Sequence, residues 1–246
     1  MNLMTRHLLL FVLLISIAIS CKKDNPSDSS LKQIASYNVN LAECSGLSKY
    51  LNDNFLTVSD TLEKVYVIDK TGNVLDSLSY EGHNPEGVVY DSKSGHVLVV
   101  EENTNEVVEL DGSGEELSRF TVTVNNIYVK HGLEGITLNP ENDHFYLVSE
   151  KSPGLLFEFT RDGQELNRHT LSFAKDYSSV FYDESLKKLW ILSDDSGTVT
   201  RCSLSGGAEQ TWTTGINKGE GLIVESSSKR IYIISDSDQK LYVFSY

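Results

Sequence analysis

The chain has 246 residues, with 35 acidic side chains against 21 Lys and Arg and a formal net charge of −14. Its basic residues form no stripe, and clustered Lys and Arg are what phosphate neutralisation requires, so the composition argues against nucleic-acid binding. A cationic partner, or a substrate reached through a bound cation, suits the charge better.

Taken in order, the chain begins with a targeting segment. Met1 to His7 carries Arg6, and Leu8 to Ile19 is apolar apart from Ser16. That run is shorter than the roughly 20 apolar residues of a membrane span. Residues 1–20 therefore read as a secretory signal peptide. The segment ends in Ala18-Ile19-Ser20-Cys21, small residues just before a cysteine, and resembles the bacterial lipobox. Cys21 is the expected lipidation site; the plainer alternative is an ordinary signal peptide cut nearby. Residues 21–30 then comprise the lipidated cysteine and a flexible tether, because Lys22 to Ser30 is polar, carries Pro26 and has no apolar period. Its charged run resembles lipoproteins of Bacteroidota, which implies a lipid-anchored protein of the outer membrane, with leaflet and face left open.

Residues 31–246 suit one domain with a sizeable core. Leu31 to Leu41 is the first expected strand, with Ile34, Tyr37 and Val39 supplying β character. A repeat follows. Ser45-Gly46-Leu47, Glu86-Gly87-Val88, Glu134-Gly135-Ile136, Ser178-Ser179-Val180 and Glu220-Gly221-Leu222 start at steps of 41, 48, 44 and 42 residues. Each opens a unit of alternating strands joined by turns such as Thr71-Gly72-Asn73 and Arg161-Asp162-Gly163, where glycine supplies positive φ. Strands are expected at Lys64 to Asp69, His96 to Glu101, His144 to Ser149 and Lys188 to Ser193, among others. The fifth unit stops one strand short at Tyr246, and Leu31 to Leu41 is the strand left over. The pattern predicts an all-β fold, a five-bladed β-propeller whose N-terminal strand completes the last blade. A parallel β-helix also repeats, but with turns shorter than about 40 residues and without hairpins. Cys44 and Cys202 fall in different parts of different repeats, so a disulfide is possible but not suggested, and the plainer reading of each is a small buried residue.

Acids keep fixed places in this repeat. Asp60, Glu102, Glu150, Asp194 and Asp236 end the second strands, at offsets of 15, 16, 16, 16 and 16 residues from the motif starts. A second set marks the first strands: Glu86, Glu134 and Glu220 at the motif start, and Glu43 and Asp176 two residues before a serine start. Positions i and i−2 of a strand face the same side, so this reading keeps the carboxylate's side and moves it along the strand. In a propeller both sets reach one mouth of the central channel. Carboxylates so crowded repel one another, and either some keep their protons or a cation sits among them. Oxygen-only ligands suit a hard cation, Ca²⁺ before Mg²⁺. The second-strand set reads mainly as turn chemistry and the first-strand set as functional. No His cluster, nucleophile elbow, phosphate loop or dinucleotide fingerprint is present, and no His or Lys base falls within the motifs.

The ordered series Glu43-Cys44-Ser45-Gly46-Leu47, Asn84-Pro85-Glu86-Gly87-Val88, Leu133-Glu134-Gly135-Ile136, Asp176-Tyr177-Ser178-Ser179-Val180 and Gly219-Glu220-Gly221-Leu222 resembles the SdiA-regulated (YjiK-like) family. The resemblance spans residues 31–246 and implies a propeller similar to phytase-like and gluconolactonase-like ones, which use metal at the channel mouth. It implies metal ligation at Glu43, Glu86, Glu134, Asp176 and Glu220. Ser178-Ser179 departs from the usual Ser-Gly and bears on the geometry of blade four. The expected function is a lipid-anchored binding or sensing module that holds calcium, a small-molecule ligand or a protein partner at an acidic mouth, acting as a monomer. The alternative is a metal-dependent phosphoesterase or lactonase, in which metal polarises the substrate and a channel carboxylate acts as base.

Overall fold

The computed structural model describes residues 29–124 and 131–246. The expected signal peptide, Cys21 and the tether as far as residue 28 lie outside the described residues. Two strands come first, β1 (Ser29–Ser30) and β2 (Lys32–Asn38). The sheet of blade one follows: β3 (Cys44–Lys49), β4 (Phe55–Ser59), β5 (Lys64–Ile68) and β6 (Val74–Ser77). Blade two is β7 (Pro85–Asp91), β8 (His96–Glu101), β9 (Glu106–Leu110) and β10 (Glu116–Thr121). Blade three is β11 (Leu133–Asn139), β12 (His144–Ser149), β13 (Leu155–Phe159) and β14 (Glu165–Thr170). Blade four is β15 (Ser179–Asp183), β16 (Lys188–Ser193), β17 (Thr198–Cys202) and β18 (Ala208–Thr213). Blade five is β19 (Gly219–Glu225), β20 (Arg230–Ser235) and β21 (Lys240–Ser245), completed by β2, which pairs with β21 from Lys32 opposite Ser245 to Asn38 opposite Lys240 with a register shift between Gln33 and Ala35. The inner strands β3, β7, β11, β15 and β19 lie side by side, with β19 against β3, so the ring is closed. The chain is a five-bladed β-propeller.

Burial explains the apolar runs. Each blade is covered on both faces by its neighbours, so successive side chains of one strand enter different cores. In β8, Val97 and Val99 pack toward blade one, while Leu98 and Val100 pack toward blade three. The core is thus five clusters, one between each pair of adjacent blades. Cys44 and Cys202 are free thiols in two of them, and burial pushes both up to about 12.

Two features depart from the expected pattern. The expected strand Leu31 to Leu41 is observed as Lys32–Asn38, and the two residues Ser29–Ser30 ahead of it pair parallel with Trp212 and Thr213 of β18. Blade four therefore has five strands. Leu31 is buried beside the stacked pair Trp190 and Trp212, whose centroids lie 5.0 Å apart. The N-terminal segment thus spans the seam between blades four and five.

The motif glycines mark where the inner strands touch. A Cβ on Gly87 would lie 2.7 Å from the Glu134 carbonyl oxygen, and one on Gly221 would lie 2.6 Å from the Gly46 carbonyl carbon. Gly46 meets Gly87, and Gly135 meets Ser179, in the same way. The ring closes backbone to backbone, and blade four manages it with a serine. Gly221→Ala is expected to cost about 2–3 kcal/mol, the cost of overpacking against a backbone that cannot retreat, with urea unfolding as the measurement.

Candidate functional site: an acidic channel mouth

The acids converge through local irregularity. Pro85 pairs with Glu101 and Gly87 with Val100, which leaves Glu86 unpaired in a β-bulge. The same shift leaves Glu134 unpaired in β11 and Glu220 unpaired in β19. A bulge re-aims its extra side chain, and here it turns three glutamates into the channel. Glu43 and Asp176 arrive differently. Neither lies in a strand: Glu43 precedes β3 with φ of 46°, and Asp176 sits three residues before β15. They reach the mouth from loops, which corrects the expectation of a shift along the strand. The serines at those two motif starts clasp neighbouring blades, Ser45 Oγ donating to the Glu86 carbonyl and Ser178 Oγ to the Gly219 carbonyl, both at 2.7 Å.

The second-strand acids follow directly on β4, β8, β12, β16 and β20. Four of them bond back to the entry of their own blade. Asp60, Glu102, Glu150 and Asp236 donate backbone N–H groups to the carbonyls of Glu43, Asn84, Gly132 and Lys218. These bonds hold strand entry and strand exit together at one end of the disc.

The resulting cavity has a volume of about 190 Å³. All five first-strand acids line it, as do Asp60, Glu150, Asp194 and Asp236. Glu102 joins through its neighbours: carboxylate oxygens of Glu102, Glu134 and Glu150 all lie within 4.8 Å of one another. Asp176, Asp194 and Asp195 make a second such group. Asn84 Nδ2 bridges Glu86 at 3.1 Å and Glu102 at 2.8 Å. Asp176 accepts from Ser193 Oγ and, at 3.1 Å, from the Asp195 N–H. Glu134 is only 8% exposed, and no hydrogen bond reaches its carboxylate among the described residues.

This crowding alters the protonation of the group. Burial lifts Glu86 to about 8 and Asp176 to about 6, and raises Glu134 and Glu220 well above the ordinary glutamate value. Neighbouring carboxylates add to each shift. Glu43 is raised chiefly by its hydrogen bond with Asp60. Asp194 is the exception. Burial works against its charge, but Lys218 Nζ at 2.6 Å holds it below its usual value.

The SdiA-regulated family profile matches residues 29–245 of this chain. The chain belongs to the SdiA-regulated family. No curated protein matches it in sequence. Among solved structures, this SdiA-regulated propeller is similar to a glutaminyl cyclase from Myxococcus xanthus at 12% identity, covering 89% of this chain and 97% of that one with a TM-score of 0.68. It is also similar to a gluconolactonase from Xanthomonas campestris at 10% identity, with coverage of 89% and 96% and a TM-score of 0.55. A virginiamycin B lyase from Staphylococcus aureus matches at 18% identity, with coverage of 86% and 73% and a TM-score of 0.51. At these identities the likeness is one of fold.

The family motif accounts for only part of the mouth. The structure brings Glu43, Glu86, Glu134, Asp176 and Glu220 to one cavity, but it divides them among smaller groups. Glu134 belongs with the second-strand acids Glu102 and Glu150, Asp176 with Asp194, and Glu43 with Asp60. The expectation that no base falls here is corrected as well. Lys218 lines the cavity, and Glu150 is held by His131 and by Lys151 Nζ at 2.6 Å. A signal for Lys218 existed: it precedes Glu220 by two residues, the place that Glu43 and Asp176 hold before their serines.

Proposed function

We propose that this SdiA-regulated propeller is a non-catalytic binding module whose acidic mouth holds a hard divalent cation, calcium, centred on Glu134, Glu102 and Glu150. The observation that carries this reading is the Glu134 carboxylate, buried without a hydrogen-bond donor among the described residues and within 4.8 Å of two further carboxylates. An ionised carboxylate so placed is costly unless a cation or donor meets it. The donors are all oxygen, and several protein carboxylates suit calcium better than magnesium, which keeps much of its water. Glu86, Asp176 and Glu220 stand around this group, and because burial raises all three they can release protons as a cation enters. Binding is favoured over catalysis because the nearby cationic side chains are engaged, Lys218 by Asp194 and Lys151 by Glu150 and Asp195.

Thermal unfolding of the intact chain tests this reading. Saturating calcium is expected to raise Tm by several degrees over the chelated protein, with magnesium giving a smaller rise. Equal Tm values with calcium and with chelator would contradict it. A parallel screen of phosphoester and lactone substrates is expected to show no calcium-dependent turnover; turnover would establish the hydrolase instead. The module is carried on the bacterial outer membrane by lipid on Cys21, a reading supported by the apolar run Leu8 to Ile19 and the small residues before the cysteine. Cys21→Ser is expected to shift the protein from the membrane to the soluble fraction. A variant that stays with the membrane would refute the anchor.

A further inference from the structure

The inner strands leave the channel at its other end, and there a second cavity of about 850 Å³ opens. Sites for small organic ligands span roughly 300–1,000 Å³ and are mostly apolar with a few polar groups. This one has the size, but its rim is polar and carries six acids, and its apolar surface is confined to the floor. Val89, Leu138, Phe181 and Val224 give it an apolar floor, and Tyr90 forms one wall, fixed by edge contact with Tyr50 at 4.8 Å between centroids.

Its charges are distributed unequally. Arg161 pairs with Asp91, Lys70 Nζ lies 2.8 Å from Glu225, and Lys187 Nζ lies 2.9 Å from Glu141. Asp183 accepts from Ser185, Ser226 and Trp190, and Glu184 is exposed to water. The acids around the rim are thus largely committed. Lys49 is not. It ends β3 in blade one and reaches across the mouth to blade four, where its ammonium stands 5.2 Å from the centroid of the Phe181 ring. Lys49 is exposed, and among the described residues no carboxylate forms an ion pair with it, although Glu225, Asp183 and Glu184 attract it from beyond ion-pair distance. An ammonium that keeps water on one side and an aromatic face on the other still gains more from a carboxylate than from the face.

We infer that this second mouth binds a small organic anion, an apolar or aromatic body bearing one carboxylate, with the carboxylate on Lys49 and the body on Val89, Leu138 and Phe181. Nothing in this inference depends on calcium, because the two mouths lie at opposite ends of the channel.

The test is calorimetric titration of the intact chain with naphthoate, with neutral naphthamide and with naphthylmethylammonium, three bodies of one shape and different charge. Naphthoate is expected to bind at least about tenfold more tightly than naphthamide, the size of one charge-assisted hydrogen bond. Lys49→Gln should erase that advantage, and Lys49→Arg should keep it, which separates loss of charge from loss of fold. Glu134→Gln should leave naphthoate binding unchanged. The inference is overturned if no naphthyl compound binds, if naphthamide or the ammonium binds as well as naphthoate, or if Lys49→Gln changes nothing.

Discussion

Glu134→Gln should weaken calcium binding by at least about 100-fold and, in chelator, should raise the stability of the folded chain. Both effects follow from one property. Glu134 is the buried carboxylate with no donor, so its charge has value only when a cation is present. Glutamine keeps the shape, removes the charge, and offers an amide to Glu102 and Glu150, which lie within reach. A factor of 100 corresponds to about 2.7 kcal/mol, within the range for breaking one buried charge contact. Glu43→Gln is the matched control. Glu43 is exposed on a loop, and its loss should change affinity by less than about threefold, as for other exposed charges. Titration and thermal unfolding of the two variants decide the matter. Equal losses at both positions would mean that the ring acts as an undivided field. A destabilised Glu134→Gln protein in chelator would mean that the glutamate supports the fold.

The calcium-free chain should lose stability as pH rises from about 5 to about 9, with a fall in Tm on the order of 10 °C. Folding lifts Glu86 from 4.5 to about 8 and Asp176 from 3.8 to about 6, and raises Glu134 and Glu220 in the same direction. Between the ordinary and the raised values the folded chain binds more protons than the unfolded chain, so stability declines with pH across that window. It is full below the ordinary values and lost once the raised groups ionise. Carboxylates that folding holds low work in the opposite sense and at lower pH. Asp69, brought to about 2 by hydrogen bonds from Thr71 and Asn73 that outweigh its desolvation, contributes stability lost only below about pH 4. Calcium should flatten the alkaline decline, because the ion takes the place of the protons. For the same reason its affinity should rise with pH through that range. A Tm that stays level from pH 5 to 9 in chelator would contradict the crowding of charge at the mouth.

Much of this arrangement was legible in the residues. A near-constant offset of 16 residues between the two acids fixes them one hairpin apart, and strand direction then forces both sets to one end of the disc. Closure by the N-terminal strand followed from a count of strands. Ser178-Ser179 was legible as a departure, and its consequence is now physical: Ser179 takes the place of a glycine in the ring, and the strand starts without the bulge seen at Glu86. The rest depended on features that no repeat spacing encodes. The bulges at Glu86, Glu134 and Glu220 are set by pairing with the next strand. The left-handed backbone at Glu43 and Lys218 takes those residues out of strand alternation. The electrostatic surroundings of Glu134 include acids of two other blades, Glu86 and Glu102 of blade two and Glu220 of blade five. The parallel pairing of Ser29–Ser30 with β18 has only two residues to announce it. The second mouth has no motif, because its floor is made of residues that read as ordinary core, one from each of blades two to five.

The most direct measurement is a calorimetric titration of calcium into the chelator-stripped intact chain at about pH 8, run in two buffers of different ionisation enthalpy. The expected result is saturable binding near one ion per chain, accompanied by proton release that appears as a buffer-dependent heat. Absence of binding, or binding that releases no protons, would contradict a cation site built on Glu134 and its protonated neighbours.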